Sequence, residues 1–260
     1  MTLTVLTENC AGSKCLAEHG VSYLIEHEGK TVLFDAGHTD VFIKNAKTLG
    51  IDIRSKVDAI VLSHGHWDHG DGLRYLKDKT LITHPGSFIK RFGTKHHANL
   101  GLKLSKNEME QKFDLILKDT PYYISDTMVF LGQIPKLNDF EAQTTPFTDA
   151  LGQPDYVIDD SALVIIDNNA LIVVSGCSHS GICNIMEYAI KVTGVTRVKA
   201  VLGGFHLKEN NEQTKRTIDF IRKKSITKVY PSHCTAFPAL VAFYEAFQTE
   251  SLKTGIILNF

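Results

Sequence analysis

Apolar and polar positions along the first third of the chain mark strands separated by turns. Residues 1–8 (MTLTVLTE) read as an opening strand. Residues 21–26 (VSYLIE) and 31–34 (TVLF) are apolar and rich in β-branched or aromatic side chains. The HEGK run between them predicts a hairpin turn. Asp35-Ala36-Gly37-His38 closes the second strand. Val41, Phe42, Ile43, Ala46 and Leu49 then recur at helical spacing up to Gly50, a helix stop. Residues 57–62 (VDAIVL) predict a buried strand that runs straight into Ser63-His64-Gly65-His66-Trp67-Asp68-His69-Gly70.

The middle third is less regular. A short strand at 81–83 ends at His84-Pro85, and residues 86–118 then carry seven Lys or Arg against three Asp or Glu. The last third is the most legible. Residues 162–166 (ALVII) and 170–175 (ALIVVS) predict a hairpin across Asp167-Asn168-Asn169. A helix follows with Ile185, Met186, Ala189 and Ile190 inward. Then come a strand at 198–202, a charged helix at 212–224 striped by Thr217, Ile218 and Ile221, a strand at 228–230 and a helix at 239–247. Strand and helix alternate there as in βαβ units, which sets the fold class as α/β.

Composition narrows this picture. At 260 residues and 43% hydrophobic, the chain buries about three quarters of its unfolded surface, which excludes disorder over most of its length. A net charge of −1 excludes a global basic field for nucleic acid. No apolar run approaches the roughly 18 residues a bilayer crossing needs, and the N-terminus lacks signal-peptide character, so no membrane role is expected. Five cysteines with no CxxC pair fit a reducing, cytoplasmic setting rather than a disulfide framework. A single domain over 1–260 is expected, with a basic insertion at about 86–150. The insertion is either a solvated surface or a lid that meets an anionic substrate through Lys90 and Arg91, with Lys136 as a further contact.

The histidines change the picture most. His179, His206 and His233 each sit just past a strand, at equal spacings of 27 residues, about one βαβ unit. Parallel strands in such units end on one sheet edge, where ligands of open α/β sheets bind. The 57–62 strand delivers His64, His66, Asp68 and His69 in the same way. His64 and His66, two apart on a turn, suit one ion. Asp68 and His69 open the next helix and can face a second. Imidazole suits Zn, Fe or Mn, and a carboxylate favours the harder ions of that set.

The HxHxDH run after a strand and before a Gly-rich helix start resembles the signature of the metallo-β-lactamase superfamily, over nearly the whole chain. The resemblance implies a four-layer αβ/βα sandwich with one or two divalent metals, Zn first, with Fe, Mn or Mg as alternatives. Asp35-Ala36-Gly37 resembles the family's Asp-Thr-Gly turn, whose Asp braces the metal loop. Glu18-His19-Gly20, Gly132-Gln133-Ile134-Pro135, Asp159-Asp160, Gly176-Cys177-Ser178-His179-Ser180-Gly181, Gly203-Gly204-Phe205-His206-Leu207 and Ser232-His233-Cys234-Thr235 are similar to the dihydropterin ribofuranosylaminobenzene phosphate synthases and their relatives. The superfamily pattern also has a third-motif His and a bridging Asp. Here Asp159-Asp160 falls near the first and Cys177 to His179 near the second, and no carboxylate follows Gly176. His179 therefore stands in for one of those two ligands.

The resemblance then implies His64, His66 and His179 around a first ion and Asp68, His69 and His233 around a second. His206 is an added ligand or a substrate contact, with ligation favoured because the bridging carboxylate is missing. Asp68 and His206 are the candidate catalytic groups. Cys177 and Cys234 read as small buried thiols. Three functions follow: a hydrolase of a small phosphorylated, ester or lactone substrate, a pterin-type condensation releasing pyrophosphate, or a non-catalytic metal-binding or sensing protein.

Overall fold

The structure is a computed structural model and describes residues 1–12 and 14–260. The predicted opening strand is β1 (Thr2–Thr7), and the first hairpin is β2 (Ser22–His27) and β3 (Lys30–Phe34). Helices α1 (Val41–Thr48) and α2 (Ile53–Lys56) lead to β4 (Ala59–Val61). The histidine run opens the short helix α3 (Trp67–Gly70), and β5 (Lys79–Thr83) follows a 3-10 turn. Then come β6 (Arg91–Gly93), α4 (Lys106–Lys112), β7 (Phe113–Leu117), β8 (Tyr122–Ser125), β9 (Met128–Phe130) and β10 (Phe147–Asp149). The second predicted hairpin is β11 (Ala162–Ile166) and β12 (Leu171–Ser175). After it lie α5 (Ile182–Thr193), β13 (Val198–Gly204), α6 (Glu212–Lys223), β14 (Lys228–Ser232), α7 (Phe237–Phe247) and β15 (Ile257–Asn259).

The chain divides into two compact units. The first holds residues 1–118, 146–155 and 252–260, and the second holds 119–145 and 156–251. In the first unit a seven-stranded sheet runs β15-β1-β2-β3-β4-β5-β7. Its β3, β4, β5 and β7 are parallel, so β4 needs the α1–α2 crossover that the helical spacing at 41–49 supplies. Leu24, Leu33, Phe42, Ala46, Ile60, Leu81 and Met109 form its core. The Ser105/Glu108 capping box starts α4 by satisfying two N–H groups reciprocally.

In the second unit a six-stranded sheet runs β14-β13-β12-β11-β9-β8. The last three strands in sequence, β12, β13 and β14, are parallel, as the βαβ spacing of the three late histidines predicts. Val164, Val173, Ile185, Met186, Ile221 and Phe243 pack the sheet against α5, α6 and α7. Gly194, with a left-handed φ of 72°, ends α5, and Asn211 caps α6 by accepting the Thr214 N–H at 3.2 Å.

Residues 86–150 differ from the expected insertion. They supply β7 to the first sheet, β8 and β9 to the second, and the β6–β10 pair. The strands there are short and partly polar, so their periodicity is weak while their backbone pairing is not. Arg91 departs most from expectation. It is fully buried and its Nε lies 3.1 Å from Asp155 Oδ2, so its charge faces an internal carboxylate rather than solvent. Lys90 and Lys136 are exposed. Among the described residues, no helix is long and apolar enough to cross a membrane.

Candidate metal centre

Each sheet carries a cluster of ligand-type side chains at the carboxyl ends of its parallel strands. In the first unit β4 ends at Val61, and His64, His66, Asp68 and His69 follow within eight residues, all buried. His64 Nε2 lies 2.9 Å from His66 Nδ1, a spacing compatible with two imidazoles about 2.0–2.1 Å from one ion. The intervening Gly65 is a steric requirement, because a Cβ there would lie 1.8 Å from the Ser87 carbonyl oxygen. Phe147 meets the His66 ring edge-on, with centroids 5.0 Å apart.

A buried carboxylate braces this loop. Asp35 Oδ1 accepts the Ser63 N–H at 2.7 Å, and Oδ2 accepts the Ser63 hydroxyl at 2.8 Å and faces His69 Nδ1 at 2.7 Å. The Nδ1 proton of His69 therefore points at Asp35, which leaves Nε2 with its lone pair outward, as a ligand requires. Asp35 holds a left-handed φ of 57°, uncommon for a non-glycine residue, at the position the Asp-Ala-Gly turn suggests. Glu18 fixes that turn by accepting the N–H groups of His38 and Thr39 at 3.0 and 3.1 Å. Asp68 Oδ2 lies 3.2 Å from the exposed His19 Nε2 and 3.8 Å from His69 Nε2. Trp67 is half-buried between the rings of His38 and His19, at 4.5 and 5.5 Å.

In the second unit the loops after β12, β13 and β14 carry His179, His206 and His233. The His179 and His206 rings lie 4.4 Å apart, so the equal sequence spacing does bring neighbouring side chains together. Ser178, His206 and His233 all hold left-handed φ values of 57°, 49° and 51°. Strain of about 1–3 kcal/mol each is sustained only where surrounding bonds over-determine the backbone. Those bonds are present: Ser178 Oγ donates to the Gly204 carbonyl at 2.6 Å, and the Phe205 N–H donates to Thr235 Oγ1 at 3.0 Å.

Three features here go beyond the sequence reading, which places Asp159-Asp160 near a family ligand position and reads Cys177 and Cys234 as small buried thiols. Asp160 is fully buried and accepts the Ser180 N–H at 2.9 Å, so it supports the His179 turn from behind. Burial pushes its carboxyl up to about 7, against the N–H bonds from Ser180 and His179 that pull it down. Glu141 is buried. It accepts the N–H groups of Cys183 and Asn184, each at 2.9 Å, and caps the start of α5. Cys177 and Cys234 gather with His233, their ligand atoms all within 4.8 Å of one another. Asp160 lies in a motif that the resemblance marks, but its bracing role is not legible there, because its Ser180 partner lies 20 residues away and those of Glu141 lie 42 and 43 away.

The two clusters offer imidazole, carboxylate and thiol donors with oriented second partners, a donor set that fits a divalent transition metal. Comparisons agree with that chemistry. A model of the metallo-β-lactamase superfamily matches residues 17–87. The chain is 35% identical to 7,8-dihydropterin-6-methyl-4-(β-D-ribofuranosyl)-aminobenzene-5'-phosphate synthase of Methanocaldococcus jannaschii, over 98% of this chain and 95% of that one. It is 33% identical to an uncharacterized protein of the same organism, over 92% of each chain. Among solved structures, a metal-dependent hydrolase of the β-lactamase superfamily superposes with a TM-score of 0.89 at 28% identity, covering 100% of this chain and 99% of that one. The chain belongs to the metallo-β-lactamase superfamily and has its α/β fold.

Proposed function

We propose that the chain is a metal-dependent enzyme that hydrolyses a small, phosphorylated or ester substrate. The observation that carries this reading is the Asp35–His69 pair at 2.7 Å beside the 2.9 Å His64–His66 pair: three clustered imidazoles, one of them oriented by a buried carboxylate. The proposed ligands are His64, His66 and His179 for one ion and Asp68, His69 and His233 for a second, with His206 added to the set. Zinc suits these donors first. A bound divalent ion supplies Lewis acidity, which polarises a phosphoryl or ester oxygen and acidifies water.

The chain's own groups do the rest. Asp68 is 8% exposed, and its Oδ2 accepts from His19 Nε2 when that ring carries its proton. It is therefore placed to orient a water and receive its proton. His206, on its strained loop, adds an imidazole donor beside His179, their ring centroids 4.4 Å apart. Turnover of a panel of phosphodiesters, esters and lactones by the metal-loaded chain tests this reading. No turnover of any of them by fully loaded protein contradicts it.

A second reading has its own support, the 35% identity to a pterin-pathway synthase over nearly all of both chains. In that reading the same donors bind a diphosphate leaving group, and no water needs orienting. Pyrophosphate release from a pterin diphosphate donor in the presence of the aminobenzene acceptor distinguishes it from hydrolysis.

A further inference from the structure

We propose that Cys177 gives this centre a thiolate donor: its Sγ binds the ion that His233 holds, and Cys234 pins the Cys177 loop from behind. The inference rests on the metal-binding reading above and adds a ligand to it. The Cys177, His233 and Cys234 ligand atoms lie within 4.8 Å of one another. A tetrahedral ion with a thiolate at about 2.3 Å and an imidazole at about 2.0–2.1 Å sets the two donor atoms about 3.6 Å apart, so a closure of no more than about an ångström brings this cluster to ligation.

The position of Cys177 supports the assignment. It is buried and follows Gly176 directly at the end of β12, where the chain offers no carboxylate. Cys234 differs in kind. Its Sγ donates to the Cys177 carbonyl at 3.5 Å, so its proton has an acceptor on the very residue it supports. Gly204 makes the seat: a Cβ there would lie 2.5 Å from Cys234 Sγ and 3.2 Å from the Cys177 Cα. Left-handed backbone at Ser178 and His233 turns both loops at this point. On binding, the Cys177 S–H bond breaks, its proton leaves to solvent and the sulfur lone pair forms the metal bond. A soft sulfur donor also directs selection toward Zn, Co or Fe(II) and away from Mg.

Cobalt tests the assignment because a thiolate on Co(II) gives near-ultraviolet charge-transfer absorption that nitrogen and oxygen donors lack. The full chain is stripped with a chelator, reloaded with Co(II), and read by elemental analysis and absorption together. The expected result is bound cobalt with the band, loss of the band in Cys177→Ser, and retention in Cys234→Ser, whose hydroxyl still donates to the Cys177 carbonyl. Circular dichroism checks that each variant is folded, and where Cys177→Ser does not fold, Cys177→Ala replaces it while a band kept in Cys234→Ser excludes the neighbouring sulfur. Bound cobalt without the band overturns the thiolate while leaving the metal reading intact. A band that survives Cys177→Ser but not Cys234→Ser overturns the choice of sulfur. Failure to bind cobalt at all overturns the metal reading and this inference with it.

Discussion

Asp35 Oδ2 sits 2.7 Å from His69 Nδ1, and neither side chain is exposed to solvent. The same carboxylate accepts both the N–H and the hydroxyl of Ser63, the residue just before His64. One buried anion thus sets the tautomer of one proposed ligand and the backbone leading to two others.

Asp35→Asn replaces one oxygen by an NH2 group. That group can meet Ser63 or His69 only as a donor, where a carboxylate accepts from both. Metal affinity is expected to fall by about 10–100-fold with the fold retained, since outer partners of metal ligands carry effects of that size. Chelator competition measures it. Unchanged affinity would mean that Asp35 supports the turn alone.

The β12–α5–β13–α6–β14 run was legible because each element is long, periodic and local in sequence, and the parallel order placed His179 beside His206. The HxHxDH run was legible for the same reason: its spacing is its geometry. Residues 86–150 were not, since three-residue strands such as Arg91–Gly93 carry too few positions to show a period. The Arg91–Asp155 pair joins residues 64 apart through the β6–β10 pairing, and a charge count cannot show burial. Likewise, Asp160 and Glu141 act across 20 and about 42 residues, on N–H groups that the sequence does not display.

Arg91→Ala removes the guanidinium that faces the buried Asp155 carboxylate and is expected to cost about 3–5 kcal/mol of stability. Lys90→Ala, one residue away but exposed, is expected to change stability by no more than about 0.5 kcal/mol. Urea midpoints of the two variants check the contrast. Equal midpoints would return Arg91 to the surface.

Glu141 gives the fold a pH dependence. Burial, the largest influence, raises its carboxyl above the ordinary 4.5, and the N–H groups of Cys183 and Asn184 offset this only in part. Below 4.5 the group is protonated both folded and unfolded, so its favourable state is fully present. As pH climbs from 4.5 through the raised folded value, the unfolded chain ionises first and stability falls. Glu141→Gln removes this dependence, at a constant cost of about 1–3 kcal/mol for the acceptor it loses. Unfolding midpoints from pH 4 to 8 that decline equally in parent and variant would contradict it.

His206 separates ligation from proton transfer. His206→Ala is expected to lower metal content and activity together. Metal content that holds while turnover falls about 10²-fold would make His206 a proton donor instead. His206→Asn, which tolerates the left-handed backbone at φ 49°, controls for strain alone.

The central claim is that the strand-end histidines hold divalent metal. Elemental analysis of the chain purified without added metal, beside His66→Ala, tests it most directly. The account predicts about one to two ions of a divalent transition metal per parent chain and a clear loss in the variant, because removing one imidazole weakens a small ligand set. A parent chain free of metal that also fails to take it up, or equal metal in parent and variant, would contradict it.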